Sequence, residues 1–304
     1  MSSDPGKEIV LRGAMTALVT PFDEDGSVDV KALERIVRRQ VSLGIHGLVP
    51  CGTTGEAATL SDEEHLQVIE TVVQSAEGRV PVVAGCGSND TRRTVAAAAR
   101  AAEAGADALL VVTPYYNKPN RSGMIGHYEA VAGATALPLV VYNVPGRTGQ
   151  NLEPDLVFEL ARIPGIVGLK EASGDLEQIA TILAGRPPGF SVLSGDDSLV
   201  LPTLALGADG VISVASNQAP AEMAALVDAG LAGDFATARE IHFRLLDLMR
   251  TNFCESNPVP VKVAMELLGL CRERTRPPLG PPSDESRAAI RRALSHAAVR
   301  GSER

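Results

Sequence analysis

Short, nearly continuous apolar segments alternate along the chain with longer segments whose apolar residues recur every three or four positions. The first pattern predicts strands and the second predicts amphipathic helices. Because the strand segments are apolar at almost every position, they are typical of a parallel sheet covered by helices. The eight predicted strands cover residues 14–19, 47–50, 80–84, 108–112, 137–142, 166–170, 191–193 and 210–214.

The helical segments between these strands carry recognisable terminal signals. Ser61, followed three residues later by Glu64, predicts a capping box at the start of one helix. Gly44, Gly105 and Gly207 predict the ends of three others, because glycine adopts the left-handed conformation that terminates a helix. The predicted helices of this region include residues 30–43, 62–75, 91–104, 176–183 and 199–206.

A strand and a helix recur about every 25–30 residues, as expected of repeated βα units. Eight such units close most naturally into a (β/α)₈ TIM barrel. A doubly wound open sheet is the alternative, but no GxGxxG motif follows the first strand. Beyond residue 233 the strand pattern stops and helical patterns follow at 235–249, 260–268 and 285–298. We therefore predict an α/β fold with a catalytic barrel over residues 9–232 and a helical extension over residues 233–304.

The overall composition excludes several classes of partner. The 304 residues carry a formal net charge of −9, which disfavours a nucleic-acid or anionic-membrane partner. No segment reaches the ~20 apolar residues of a membrane helix, and the first ten residues lack the pattern of a secretory leader. The four cysteines match no zinc-binding spacing and point to reduced thiols in a cytoplasmic protein. Small-molecule substrates and no bound metal are expected.

Polar residues stand at the predicted C-terminal ends of the strands, where a TIM barrel carries its active site. Lys170 ends the sixth strand. Burial at that position favours the neutral amine, which can attack a ketone and form a Schiff base. A lysine that extends its charge to solvent is the alternative, and Lys170 considered alone leaves both interpretations open.

Other strand ends supply groups that suit the same carbonyl chemistry. Tyr142 ends the fifth strand and could transfer protons. Thr53 and Thr54 follow the second strand and offer hydroxyl groups and loop amides to a carboxylate. Arg147 can bind a carboxylate through two parallel hydrogen bonds. Each residue alone has an ordinary structural explanation, but their convergence on one barrel mouth favours a catalytic site.

Nine segments, in the same order along nearly the whole chain, are shared with one enzyme family. The chain resembles the dihydrodipicolinate synthase family, within the N-acetylneuraminate lyase superfamily. The segments are TALVTPF at 16–22, DGSVD at 25–29, CGTTGEAATL at 51–60, TPYYNKP at 113–119, YNVPGRTG at 142–149, GLKEASGD at 168–175, SGDD at 194–197, GVISV at 210–214 and ESNPVPVK at 255–262.

This resemblance implies a role for each candidate catalytic residue. Lys170 would form the Schiff base with pyruvate, and Tyr142 would be the proton donor and acceptor. Thr53 and Tyr116 would complete a proton relay, with Tyr116 reaching into the site of a neighbouring subunit. The resemblance also implies a homotetramer built as a dimer of dimers. No cofactor is expected, because the imine itself accepts the electrons.

The resemblance also implies a substrate-binding set and a pathway. Thr54 would hold the pyruvate carboxylate, while the Ile212 backbone and Gly195 would lie beside the substrate. Arg147 would bind the carboxylate of aspartate semialdehyde, whereas the similar sialic-acid lyases usually carry an apolar residue there. The chain would then be a carbon–oxygen lyase of lysine and diaminopimelate biosynthesis.

Two other functions remain open from the sequence. A related Schiff-base aldolase or dehydratase would keep Lys170 and Tyr142 but use a different aldehyde or a sugar acid. A non-catalytic barrel that senses a ligand would be expected to lack Lys170 or Tyr142, and both are present.

Feedback inhibition by lysine is predicted to be weak or absent. In lysine-sensitive members of the family, a glutamate holds the ammonium group of the ligand, and the matching residue here is Arg93. Ala57 and Asp62 also differ from the sensitive pattern. Because a guanidinium at this position would repel lysine, we expect little inhibition.

Overall fold

The computed structural model describes residues 11–299, and the predicted start of the barrel at residue 9 lies outside this range. Eight parallel strands run around a barrel, and each is followed by at least one helix. The strands are β1 (Gly13–Ala17), β2 (Gly47–Val49), β3 (Val83–Gly85), β4 (Ala108–Val112), β5 (Leu139–Asn143), β6 (Ile166–Glu171), β7 (Ser191–Ser194) and β8 (Gly210–Ser213).

The barrel closes between β2 and β3. Seven neighbouring pairs, from β2–β1 around to β4–β3, are joined by parallel ladders. At the remaining seam, the Leu48 N–H donates to the Pro81 carbonyl and the Gly85 N–H donates to the Pro50 carbonyl, each at 2.9 Å. The predicted TIM barrel is therefore confirmed, and the open-sheet alternative is wrong. The third strand begins at Val83 and not at the predicted residue 80. Pro81 lies between these positions and has no N–H to donate to a strand ladder.

The helices mostly begin and end close to the predicted residues. The apolar pattern does not single out four of them, at Arg121–Ala132, Pro145–Thr148, Pro154–Leu160 and Pro220–Leu231. The helices are α1 (Val30–Ser42), α2 (Asp62–Ala76), α3 (Thr91–Glu103), α4 (Arg121–Ala132), α5 (Pro145–Thr148), α6 (Pro154–Leu160), α7 (Leu176–Gly185), α8 (Val200–Ala205), α9 (Pro220–Leu231), α10 (Phe235–Thr251), α11 (Val259–Leu267) and α12 (Asp284–His296).

The predicted helix-terminal signals are also confirmed. The Ser61 hydroxyl accepts a hydrogen bond from the Glu64 N–H at 3.2 Å, and the Glu64 carboxylate accepts one from the Ser61 N–H at 2.9 Å. Gly44, Gly105 and Gly207 have φ angles of 83°, 86° and 99°. Each therefore adopts the left-handed conformation that glycine tolerates best.

Alternate strand residues build two separate cores. Along β5, Leu139 and Val141 pack against the surrounding helices, while Val140 and Tyr142 face the barrel interior. The interior core is a filled layer of side chains, as is usual for this barrel. Tyr142 is the last inward-facing residue of β5, so its side chain stands at the C-terminal end of this interior core.

The chain after residue 232 is helical and returns to the barrel. Helix α10 packs against α9 and α12, and α12 also packs against α11. The segment before α11 and the segment before α12 both reach the mouth of the barrel, through Asn257 and Leu279. The domain boundary at residue 233 stays a prediction. Among residues 11–299, no helix combines the length and apolar character that crossing a membrane requires.

Candidate active site

A cavity of about 760 Å³ opens at the C-terminal end of the barrel and adjoins a deeper pocket of about 50 Å³. The deeper pocket contains most of the residues that the sequence singled out. It is lined in part by Thr53, Thr54, Tyr142, Arg147, Lys170 and Gly195. Residues from four strand ends, the first and last more than a hundred positions apart in sequence, therefore meet in one place.

Lys170 and Tyr142 stand side by side at the bottom of this pocket. They occupy partner positions in the β5–β6 ladder, so both side chains face inward at the same height. The Lys170 Nζ lies 4.2 Å from the centroid of the Tyr142 ring. Lys170 is 6% exposed and Tyr142 is 7% exposed. A buried amine beside a phenol can attack a carbonyl and exchange protons with its neighbour.

Gly195 provides the surface against which the lysine side chain lies. A Cβ at this position would come within 3.1 Å of the Lys170 Cε and 2.6 Å of the Ala172 Cβ. The Gly195 N–H also donates to the Glu171 carbonyl at 2.7 Å. Only a residue without a side chain fits this close approach, which fixes the path of Lys170 into the pocket.

Thr54 and Arg147 are linked through Asn257. The Asn257 side-chain amide donates to the Thr54 hydroxyl at 3.0 Å. The Arg147 guanidinium donates to the Asn257 carbonyl at 3.3 Å. Asn257 was not assigned a role from the sequence, although it lies in the shared ESNPVPVK segment, which was the available signal.

A buried polar network holds the ends of β5 and β6 together behind the reactive pair. The Asn143 side-chain amide donates to both carboxylate oxygens of Glu171, at 3.0 and 3.1 Å, and the Ser173 N–H donates to Glu171 at 2.7 Å. Burial raises the pKa of Glu171. Because Asn143 and Glu171 directly follow Tyr142 and Lys170, the network fixes where both strands end.

Two aspartates after β7 complete the inner wall. Asp196 lines the deeper pocket, and burial raises its pKa while the nearby charge of Lys170 acts in the opposite direction. Asp197 accepts hydrogen bonds from the Val214 N–H at 3.0 Å and the Ala215 N–H at 2.8 Å. Asp197 therefore anchors the end of β8 to the loop that carries Gly195.

Two of the predicted site residues lie apart from the pocket within one chain. Tyr116 is 89% exposed, and its φ angle of 71° places it in the left-handed region that non-glycine residues seldom adopt. Ile212 is fully buried in the barrel interior on β8. The neighbouring Tyr115, by contrast, lines the larger cavity.

The outer part of the larger cavity carries several charged groups. Asp62, His65, Arg93 and Arg100 line it together with Tyr115. Arg100 pairs with Asp62 at 3.3 Å. The His65 Nε2 lies 2.7 Å from the Gly85 carbonyl, and burial lowers the pKa of this histidine. Ala57, Asp62 and Arg93, the three positions compared with lysine-sensitive members of the family, thus line one cavity.

Across residues 11–299, no three His, Cys, Asp or Glu side chains cluster closely enough to hold a metal ion. The polar groups of the deeper pocket are an amine, a phenol, two hydroxyl groups, a guanidinium, an amide and one carboxylate. This set suits covalent carbonyl chemistry and the binding of a carboxylate.

Comparisons with known proteins agree with this geometry. The profile of the dihydrodipicolinate synthetase family matches residues 10–297. A 4-hydroxy-tetrahydrodipicolinate synthase from Methanospirillum hungatei is 50% identical over 289 residues, which are 94% of this chain and 99% of the relative.

Solved structures show the same similarity. The dihydrodipicolinate synthase of Aquifex aeolicus is 44% identical with a TM-score of 0.93, over 96% of this chain and all of that one. A chloride-inhibited dihydrodipicolinate synthase from Acinetobacter baumannii, complexed with pyruvate, is 43% identical with a TM-score of 0.94, over 95% of this chain and all of that one.

Proposed function

The chain belongs to the dihydrodipicolinate synthetase family, and from this membership we propose that it catalyses the 4-hydroxy-tetrahydrodipicolinate synthase reaction. This lyase condenses pyruvate with aspartate 4-semialdehyde in the biosynthesis of diaminopimelate and lysine. The observation that carries the proposal is the buried Lys170 beside Tyr142 in a pocket that also holds Thr54 and Arg147.

The chemistry begins at the Lys170 amine. The lone pair of the unprotonated amine attacks the ketone carbon of pyruvate, and loss of water from the carbinolamine gives an imine. Tyr142 lies against the nitrogen and is placed to deliver and accept the protons of these steps. Loss of a proton from the methyl group then gives an enamine, with the imine nitrogen accepting the electron pair. No cofactor is required for this sequence.

The enamine carbon attacks the aldehyde of the second substrate and forms the new carbon–carbon bond. The amino group of that substrate next attacks the imine carbon, closes the ring and displaces Lys170. Thr54 and the Thr53 loop bind the pyruvate carboxylate, and Gly195 lies beside the bound substrate. The role proposed for Ile212 falls to its backbone, because its side chain is buried in the barrel interior. Arg147, at the rim of the same pocket, binds the carboxylate of the semialdehyde.

The proton relay of this proposal runs from Tyr142 through Thr53 to Tyr116 of a second subunit. The exposed, strained position of Tyr116 in the single chain supports this arrangement, because a second chain would cover it. We accordingly propose a homotetramer built as a dimer of dimers. A cytoplasmic location is also proposed, since the four cysteines form no disulfide in the described structure.

Trapping with borohydride tests the covalent step. Reduction in the presence of pyruvate should attach a reduced pyruvate to Lys170, which peptide mass spectrometry would locate. The Lys170→Met variant should lose the adduct, whereas the exposed-lysine control Lys31→Met should keep it. An adduct absent from the wild-type enzyme would rule out Schiff-base chemistry, including that of a related aldolase.

A coupled assay with the downstream reductase tests the second substrate. Arg147→Ala should raise the KM for aspartate semialdehyde by about 10-fold or more, since a charged hydrogen-bonding pair is lost. Trapping of pyruvate should continue in this variant. A wild-type enzyme that traps pyruvate but does not turn over the semialdehyde would favour the related aldolase or dehydratase.

A further inference from the structure

A fully buried ion pair lies directly behind the loop that carries Thr53 and Thr54. Lys262 of α11 pairs with Glu56, and their side chains are 0% and 1% exposed. The Lys262 Nζ also donates to the Arg274 carbonyl at 2.8 Å and lies 4.1 Å from the centroid of the Phe22 ring. One ammonium group thus joins the loops after β1 and β2 to the C-terminal extension.

Glu56 holds an unfavourable backbone conformation at the end of this loop. Its φ angle is 54°, in the left-handed region, which costs free energy for a residue with a side chain. Its N–H donates to the Thr53 carbonyl at 3.1 Å, so the turn that presents Thr53 and Thr54 closes on Glu56. The second carboxylate oxygen accepts from the Arg276 N–H at 2.9 Å. Both oxygens are therefore tied to the C-terminal extension.

Arg276 clamps the far side of the same segment. Its guanidinium donates to the Thr59 carbonyl at 2.8 Å and to the Gly26 carbonyl at 2.7 Å. It also pairs with Glu64, and these hydrogen bonds lower the pKa of Glu64 to about 2. The chain from Glu56 to Glu64 is thus held at both ends by groups of the C-terminal extension.

A gain in folding stability does not explain why this position holds a buried ion pair. Removing two charges from water is costly, and apolar side chains of similar volume often stabilise a fold as well as a buried pair does. A charged pair differs from an apolar one because its hydrogen bonds are directional. The Lys262 ammonium donates to the Glu56 carboxylate and the Arg274 carbonyl, and the Glu56 carboxylate also accepts from the Arg276 N–H. Because the pair lies behind the Thr53–Thr54 turn, that turn is the segment whose orientation it fixes.

We infer that Glu56 and Lys262 are positioning residues that hold the Thr53–Thr54 turn in the geometry that binds the pyruvate carboxylate. The inference rests on the proposed function and adds a role for the C-terminal extension in substrate binding. Neither residue lines the 50 Å³ pocket that holds Lys170, and Glu56 borders only the larger cavity, so both act on bound pyruvate through the turn.

The test measures steady-state kinetics and thermal unfolding for Lys262→Met, Glu56→Gln and the double variant. We expect the KM for pyruvate to rise about tenfold in each, because misaligned hydroxyl and amide donors lose hydrogen bonds to a charged group. In the double variant, which buries no unpaired charge, the Tm should return close to the wild-type value while the KM for pyruvate stays high.

This separation distinguishes positioning from stability alone. A partly unfolded population lowers the apparent kcat in proportion to the active fraction and leaves KM unchanged. The matched control is Arg186→Met, which breaks the half-buried pair with Asp209 near the start of β8, at the opposite end of the barrel. It should lower the Tm and keep the KM for pyruvate within twofold of wild type.

A folded double variant with a wild-type KM for pyruvate would overturn the inference. If none of the three variants folds, the pair is a determinant of folding and the positioning role is withdrawn. Failure of the proposed function is recognised separately, because wild-type enzyme would then form no trapped pyruvate adduct at Lys170 or would not turn over the semialdehyde.

Discussion

Tyr142 and Lys170 face each other across the β5–β6 ladder, with the lysine Nζ 4.2 Å from the centroid of the phenol ring. The ladder fixes this contact, because each residue is the last inward-facing position of its strand. The amide network of Asn143 with Glu171 then holds both strand ends. The reactive pair is therefore positioned by backbone pairing and buried hydrogen bonds.

Replacing Tyr142 with phenylalanine should separate the acid–base role from the packing role. Tyr142→Phe keeps the ring over Lys170 and removes the hydroxyl that transfers protons. We expect kcat to fall by about 10²–10⁴-fold, the usual contribution of a positioned acid–base group. The coupled assay measures this loss, and slow borohydride trapping should show that Lys170 still forms the imine. A kcat within threefold of wild type would exclude Tyr142 as the proton carrier.

Adding a methyl group at Gly195 should displace the Lys170 side chain. In Gly195→Ala the new Cβ meets the Ala172 Cβ at 2.6 Å and the Lys170 Cε at 3.1 Å, so one of them must move. We expect kcat/KM for pyruvate to fall by up to about 100-fold, as a misplacement near 1 Å can cause. Gly126→Ala is the control, since a Cβ there meets no atom within 4 Å. Unchanged trapping kinetics in Gly195→Ala would contradict this account.

The sequence predicts the barrel well because each βα unit is specified locally. The predicted bounds of strand β4, between the helix-ending Gly105 and Pro114, match the structure to the residue. Helix α4 was missed because Gly123 and Gly126 interrupt its apolar pattern. Helix α9 was missed because alanines also occupy its less buried positions 221, 225 and 229, so its sequence shows no distinct polar face.

The sequence predicts those site residues that stand at strand ends. It does not predict the contacts between residues that are far apart in sequence. Lys170 and Tyr142 end their strands, so barrel geometry brings them together. The bond between Asn257 and Thr54 joins residues 203 positions apart, and the pair of Lys262 with Glu56 spans 206 positions. No local pattern specifies such contacts, because they arise only when the C-terminal extension packs on the barrel.

Lysine should inhibit the enzyme weakly or not at all. Arg93, Asp62 and His65 line the outer part of the 760 Å³ cavity, so a ligand bound there would meet the Arg93 guanidinium. A guanidinium opposes the binding of an ammonium group. Turnover measured at saturating pyruvate with increasing lysine should stay near the uninhibited rate into the millimolar range. Strong inhibition by micromolar lysine would refute this prediction, and Arg93→Glu should increase any residual sensitivity.

His127 should make the stability of the protein decrease as the pH falls below neutrality. This residue of α4 is 3% exposed, and its Nδ1 lies 3.0 Å from the Thr91 hydroxyl. Its Nε2 has no hydrogen-bond partner among residues 11–299. Burial lowers the pKa of His127 to about 4, whereas an unfolded histidine has a pKa of about 6.5.

The sign of the effect follows from where the proton binds. Between pH values of about 6.5 and 4 the unfolded chain binds a proton that the folded chain excludes, so stability is lost as the pH falls through this window. From about pH 7.5 to pH 5.5 the loss should be about 1 kcal/mol per chain. Urea unfolding at both pH values would measure it. His127→Asn, which can keep a contact with Thr91 and does not titrate, should remove most of this loss, whereas the exposed-histidine variant His296→Asn should retain it. Equal pH dependence in wild type and His127→Asn would show that His127 is not the group responsible.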